Sequence, residues 1–334
     1  MNPALLGLIT IVLGVGGCIG YFWLSNLLLD TVIFPPRGSN AGRNINRANA
    51  IRPWLFLAPA LLALGLYLAY PVVATFWLSL NDRVAGGGSE FVGLDNYVQM
   101  FGESKFREAI LNNMMWLVVV PAASTAFGLI AAQLTDRISW GNIAKSLIFM
   151  PMAISFVGAS VIWKLIYDAR PQGTDQIGVL NALWVAFGGE PQQWLTIPGW
   201  NNLLLMIVLI WIQTGFAMVI LGAALRGIPE ETVEAAIVDG ASPWTIFFRI
   251  KVPQIMPTIV VVWTTITLVV LKVFDIVLAM TNGQWETQVL ANYMYDKLFR
   301  SFDWGVGSAA AMIIMLLVSP ILIWNVYSAN KEMR

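Results

Sequence analysis

Histidine is absent from the 334 residues, and cysteine occurs once, at Cys18. Without imidazole the chain lacks the usual acid-base group of neutral pH, and His/Cys metal sites go with it. A lone cysteine excludes any disulfide within the chain. Charge is also scarce: Asp, Glu, Lys and Arg make up 11% of the residues, and 19 basic groups cancel 19 acidic ones. With no excess of positive charge there is nothing to neutralise a phosphate backbone, so nucleic acid is not an expected partner. No Lys follows a Gly. The phosphate-cradling pattern G-x-x-x-x-G-K-[ST] is therefore missing, and ATP cannot be held by that route. These gaps predict no catalytic residues, no metal and no cofactor in this chain.

What is abundant is apolar: 58% of the residues are hydrophobic, and Trp occurs 15 times. About twenty apolar residues cross a bilayer as a helix. Seven runs of that kind stand at 5–29, 54–80, 110–134, 146–167, 202–225, 258–280 and 307–329. No ten-residue alternation suggests a barrel. The expected fold class is an all-α integral membrane protein with seven transmembrane helices.

The first run is not preceded by basic residues and is not followed by an A-x-A cleavage site, so residues 1–30 are read as a retained helix. Its Gly16 and Gly20 stand at GxxxG spacing, a pattern that permits close helix approach but is also common in membrane helices generally. Arg37, Arg43, Arg47 and Arg52 fill a basic linker over 31–53. The positive-inside rule places that linker in the cytoplasm and the N-terminus outside. Alternation then puts Arg137, Lys145, Arg226, Arg249, Lys251, Lys331 and Arg334 inside, against Arg83, Lys105, Arg107, Arg170, Lys297 and Arg300 outside. A short tail, 330–334, ends the chain in the cytoplasm.

Between the fifth and sixth runs, residues 226–257 read as two short helices and a turn. Pro229 suits a first helical position, and Glu230, Glu231 and Glu234 favour the positive end of the helix dipole. Asp239-Gly240 ends that arm, because glycine tolerates the left-handed conformation. Ser242-Pro243 reads as a new cap and first turn, and Pro253 and Pro257 close the second arm. Each arm is too short to cross the membrane. Val233, Ile237, Trp244, Phe247 and Phe248 still give the pair an apolar surface, which needs either the membrane interface or a protein groove.

Glu234-Ala235-Ala236, then Gly240, then Ile250-Lys251-Val252-Pro253 resembles the EAA signature of the membrane subunits of ABC importers, departing from it only at Val252, where Leu is usual. The resemblance implies a six-helix, type I importer permease core over 54–329, to which the first helix is an addition. It implies that Glu234, Ala235, Ala236, Asp239, Gly240, Ala241, Phe247, Ile250 and Pro253 belong to a coupling segment docked on an ATPase dimer, where ATP and Mg are bound. It further implies a second permease subunit, different from this one, an extracytoplasmic sugar-binding protein, and residence in the lipid of a bacterial cytoplasmic (inner) membrane.

Phe91-Val92-Gly93-Leu94-Asp95-Asn96-Tyr97, with Phe106 and Asn112, resembles the carbohydrate permeases of the maltose and glycerol-phosphate type, as do Phe274-Asp275 and Thr281-x-Gly283. In that group the turn continues Gly-Gly-Pro, where this chain has Gly283-Gln284-Trp285. The added helix and Arg/Asn-rich linker are similar to the α-glucoside (maltose, trehalose, sucrose) permeases.

A sugar needs hydroxyls and amides along its path and aromatic faces to rest on. Gln213 and Thr214 beside Trp211, and Thr264, Thr265 and Thr267 near Trp263, supply these, or instead join neighbouring helices by hydrogen bonds. Lys272 and Asp275 are charges within a span, and their i, i+3 spacing allows them to pair with each other or to face substrate; if the span ends earlier, both stand near the external interface instead. Within the importer reading the alternative cargo to a di- or oligosaccharide is another polyhydroxylated solute such as glycerol phosphate. An ion-coupled secondary transporter and a membrane enzyme on lipid-linked sugar are the rival classes. The first needs more intramembrane carboxylates than Asp275, the second needs paired acids, and neither explains residues 226–257.

Overall fold

The computed structural model describes residues 3–38, 40–83 and 88–332. Arg334, at the end of the expected tail, lies outside the described residues. Within them, five helices are long and apolar enough to cross a membrane: α1 (Pro3–Ile33), α2 (Ala41–Ser79), α4 (Ser104–Thr135), α8 (Trp200–Arg226) and the apolar part of α14, Trp304–Trp324. Two bent pairs, α5 with α6 (Gly141–Ala153, Phe156–Ile166) and α10 with α11 (Pro243–Gln254, Met256–Leu271), bring the number to seven if each counts as one crossing. The shorter helices are α3 (Asp95–Gly102), α7 (Val179–Ala186), α9 (Glu230–Val238), α12 (Asp275–Met280) and α13 (Leu290–Tyr295). A wide turn, Asp296–Arg300, extends α13, and α14 as a whole runs Trp304–Glu332. A small antiparallel hairpin pairs Asn81 with Phe91 and Arg83 with Ser89.

The chain forms two compact units, Met1–Ala74 and Thr75–Arg334. In the first, α1 and the adjoining part of α2 run antiparallel. Arg52 donates to both carboxylate oxygens of Asp30, at 2.7 and 2.8 Å, and to Asn26 at 3.0 Å. Phe22 stacks on Phe56, and the Tyr21 hydroxyl donates to the Leu55 carbonyl. The basic stretch 31–53 is mostly helical: α2 begins at Ala41, and Arg52 within it is tied to α1 by these bonds.

In the second unit α4 and α8 lie side by side and run in the same direction, in a constant register. Asn112 meets Asn202 near one end, Ala132 meets Gly222 further along, and Asp136 meets Arg226 at the other end. Gly128 makes the approach possible, since a Cβ there would stand 2.4 Å from the Ala217 Cβ. Small residues at such crossings are how membrane helices gain close packing. Around this pair Trp116, Leu205, Met206, Leu209, Met218, Leu221 and Ile266 are fully buried.

Two predicted spans are not straight. The run 146–167 bends by 107° at Ile154–Ser155, where Ser155 caps α6 by accepting from the Gly158 amide at 3.1 Å. The run 258–280 is interrupted at residues 272–274, with Phe274 at φ −142, ψ −59 between α11 and α12. Hydropathy registers neither break, because the residues at both remain mostly apolar.

Candidate functional site

Residues 226–257 form the expected bracket. Helix α9 starts at Glu230, after Pro229 in an extended conformation. It ends in a double-bonded cap: the Gly240 amide donates to the Ile237 carbonyl at 3.0 Å and the Ala241 amide to the Ala236 carbonyl at 2.9 Å. Gly240 has φ +78, a conformation that costs an L side chain about 1–2 kcal/mol. The spacing of Ala236, Gly240 and Ala241 is thus the spacing of one helix stop. Ser242 caps α10 by accepting from the Thr245 amide. Helix α10 does not stop at Pro253 but continues to Gln254 and turns at Ile255. A wide turn at Ile246–Lys251 precedes Pro253 and relieves the crowding its ring would impose on the turn before it.

The bracket divides its side chains between two directions. Ala236 and Ile246 are buried, and Phe247 and Ile250 are half-buried. Val238 is 86% exposed, Trp244 74%, Ile237 59% and Phe248 56%, so a run of apolar groups faces away from the chain's own core. Trp244 and Phe248 stack at 5.6 Å. Glu234, Ala235, Asp239, Gly240 and Pro253 are exposed and Ala241 is half-buried. Glu234 and Glu230 also line a cavity of about 570 Å³ shared with Asp136, Arg137, Arg226 and Lys251. In its wall Asp136 accepts from Lys145 and, at 3.3 Å, from Arg226, tying the ends of α4, α5 and α8 where the bracket begins.

The pathway candidates are distributed differently. Gln213 is buried in α8, and Trp211 meets Trp163 edge to face at 5.7 Å. The threonines do not join helices: Thr214, Thr264, Thr265 and Thr267 each donate to a carbonyl of their own helix. Trp263 and Thr265 are both exposed on α11, on different faces of the helix. Lys272 and Asp275 do not pair. Their spacing brings them onto one face only in an unbroken helix, and the chain breaks between them: Lys272 caps α11 and Asp275 opens α12. Among the described residues neither side chain makes a hydrogen bond or ion pair.

At the opposite end of α4 and α8 stands a constellation that sequence reasoning did not find. The loop 281–289 carries Asn282, Trp285 and Glu286 at positive φ. Its carbonyls are held by side-chain amides: Asn201 donates to Trp285 at 2.6 Å, Asn202 to Glu286 at 2.9 Å, and Asn112 to Glu286 and Gln288 at 2.9 and 2.8 Å. Asn113 accepts from the Leu290 amide and Glu108 from the Gln288 amide. Paired asparagines at the heads of two long apolar helices were the available signal. Nearby, Glu103 accepts from Lys297 at 2.6 Å and from the Tyr293 hydroxyl at 2.8 Å. Partial burial works to raise the Glu103 pKa, but these bonds and the Lys297 charge outweigh it and hold the carboxyl below its ordinary value. Burial first, and then the bond to Glu103, push the Tyr293 phenol up.

Apolar crossings, with a bracket between two of them that exposes apolar groups, define a multi-pass membrane protein. Residues 124–332 match the family described as binding-protein-dependent transport system inner membrane component, and the chain belongs to that family. It is 65% identical to the alpha-glucoside transport system permease protein AglF of Rhizobium meliloti, over 99% of each chain. It is 47% identical to the osmoprotective compounds uptake permease protein GgtC of Synechocystis, over 84% of this chain and 100% of that one. A bacterial ABC transporter involved in the import of the acidic polysaccharide alginate shares the fold, with a TM-score of 0.72 at 20% identity, over 87% of this chain and 99% of that one.

Proposed function

We propose that the chain is the permease subunit of an ATP-driven importer for a di- or oligosaccharide, an α-glucoside, that moves its cargo by alternating access. The observation that carries the reading is the bracket: a cap at Gly240 that turns Ile237, Val238, Trp244 and Phe248 outward, joined to α8 through the three residues 227–229. Apolar side chains on a short helix pair outside the core are what a protein groove accepts. The substrate class rests on the likeness to the alpha-glucoside permease AglF.

In this reading the bracket faces the cytoplasm, the N-terminus lies outside and the C-terminus inside. Glu234, Ala235, Ala236, Asp239, Gly240, Ala241, Phe247, Ile250 and Pro253 form the contact with an ATPase dimer, which binds ATP and Mg. A second, different permease subunit and an extracytoplasmic sugar-binding protein complete the assembly. Gln213, Thr214, Trp263, Thr265, Lys272 and Asp275 are its pathway candidates.

The test is co-expression with the neighbouring genes, purification in mild detergent and mass spectrometry of what co-elutes, followed by uptake in liposomes. Recovery of an ATPase and a second permease, with ATP-dependent accumulation of an α-glucoside, is the expected result. A lone chain that transports without ATP would sink the reading.

A further inference from the structure

The break in the sixth crossing opens onto a groove. Helix α11 rises from Met256 to Leu271, 16 residues, or about 24 Å at 1.5 Å per residue, so with Met256 at the near face of the roughly 30 Å hydrocarbon layer Lys272 emerges within it. There Lys272, Phe274, Met294, Tyr295 and Ile314 line a space of about 320 Å³ between α11, α13 and α14. Three rings follow one another from the break outward. Phe274 and Tyr295 have centroids 5.2 Å apart and Tyr295 and Phe299 5.1 Å, each pair tilted, by 51° and 39°. Arg300 stands 5.5 Å over Tyr295 and is fixed by Asp296 at 2.8 Å, which holds the middle ring in place.

Two chemistries meet in this groove. The rings present apolar surface, which lipid tails would cover without cost. The Lys272 ammonium has no partner among the described residues, and a charge at that depth is expensive in lipid. A carbohydrate suits both, because its hydroxyl oxygens accept from an ammonium and its CH faces rest on aromatic rings. We propose that Phe274, Tyr295 and Phe299 form an aromatic track for a neutral di- or oligosaccharide, with Lys272 donating to its hydroxyls at the inner end. The inference rests on the α-glucoside reading above and adds a site to it.

The test separates ring faces from apolar volume. The whole assembly, with its ATPase, second permease and binding protein, is placed in liposomes, and uptake of labelled maltose and maltotriose is measured. Tyr295→Leu combined with Phe274→Leu keeps apolar bulk and loses two ring faces, and is expected to lower uptake about tenfold. ATP hydrolysis stimulated by the binding protein should stay near the unaltered level. Tyr295→Trp and Phe274→Tyr keep the rings and should transport nearly normally, and Lys272→Met should weaken uptake of both sugars. Normal uptake by the leucine pair overturns the track, as does a loss equally deep in the ring-keeping variants, which marks packing alone. If the leucine pair does not assemble, Tyr295→Leu alone decides between the same outcomes. An unaltered assembly that accumulates no α-glucoside overturns the substrate reading and the track together, whereas an active assembly indifferent to leucine overturns the track alone.

Discussion

The two ends of the α4–α8 pair are built on opposite plans. At the end near Asn112 and Asn202, the loop 281–289 has its carbonyls captured by buried amides, and little of its backbone is left to choose its own conformation. At the end near Asp136 and Arg226, the bracket α9–α10 is fixed by its own caps but leaves four large apolar side chains uncovered. One end is closed by the chain's own bonds, and the other leaves apolar surface that the chain's own core does not cover. Strained backbone persists where the surroundings over-determine it, and exposed apolar surface persists where a partner removes it from water.

Substitutions at the two ends should therefore fail in different ways. The largest effect is expected from Gly240→Val. A β-branched residue at φ +78 cannot keep the cap without a cost of about 1–2 kcal/mol or more, so the bracket re-aims, and co-purification of the ATPase with ATP-driven uptake should fall about tenfold while the chain still inserts. Full recovery of the ATPase would erase the distinction between the ends. Asn202→Leu comes next: it strands the Trp116 indole N–H and part of the Glu286 carbonyl bonding, at about 1–3 kcal/mol for each buried group left unpaired. A thermal midpoint in detergent several degrees lower, with ATPase binding retained, would sharpen the contrast.

A pH titration probes the amide end further. Because Glu103 has its folded pKa below the unfolded value of 4.5, its contribution is fully present above that value and is lost as pH falls through the folded one. Melting followed from neutral pH down to acid should show this loss, and Glu103→Gln should flatten it; an unchanged slope would remove the carboxyl from the network. Val238→Asp should have the smallest effect on the chain itself, within about 0.5 kcal/mol for so exposed a position, yet reduce ATPase binding. If it unfolded the chain instead, the bracket would be a core element after all.

The same division governs what could be read from the sequence. The bracket is legible because its rules are local: Ser242 before Pro243 caps a helix, and Gly240 ends one, whatever the rest of the chain does. The residues proposed to make its contact follow from a family signature with short, fixed spacings. The amide clamp is not legible, since Asn112 bonds a carbonyl at Glu286 and nothing in either neighbourhood announces the other. The spacing of Lys272 and Asp275 misleads on one point, their pairing, for a physical reason. Their spacing argues for a pair only on a continuous helix, and apolar residues around the break hide the interruption from any hydropathy window. Proline gave a mixed signal: Pro243 marks a start, while Pro253 sits inside a helix because a wide turn before it makes room.

The constant register of α4 and α8 has a mechanical meaning. Gly128 seats one helix against the other at mid-length, and polar ties pin them at both extremities, so the two act as a single strut. Helix α8 has 27 residues, about 40 Å at 1.5 Å per residue, and passes into the bracket within three residues. If the bracket is pushed as proposed, a tilt imposed at Arg226 arrives at Asn202 with little lost to slippage, and the strut carries that push to the loop 281–289 at its far end.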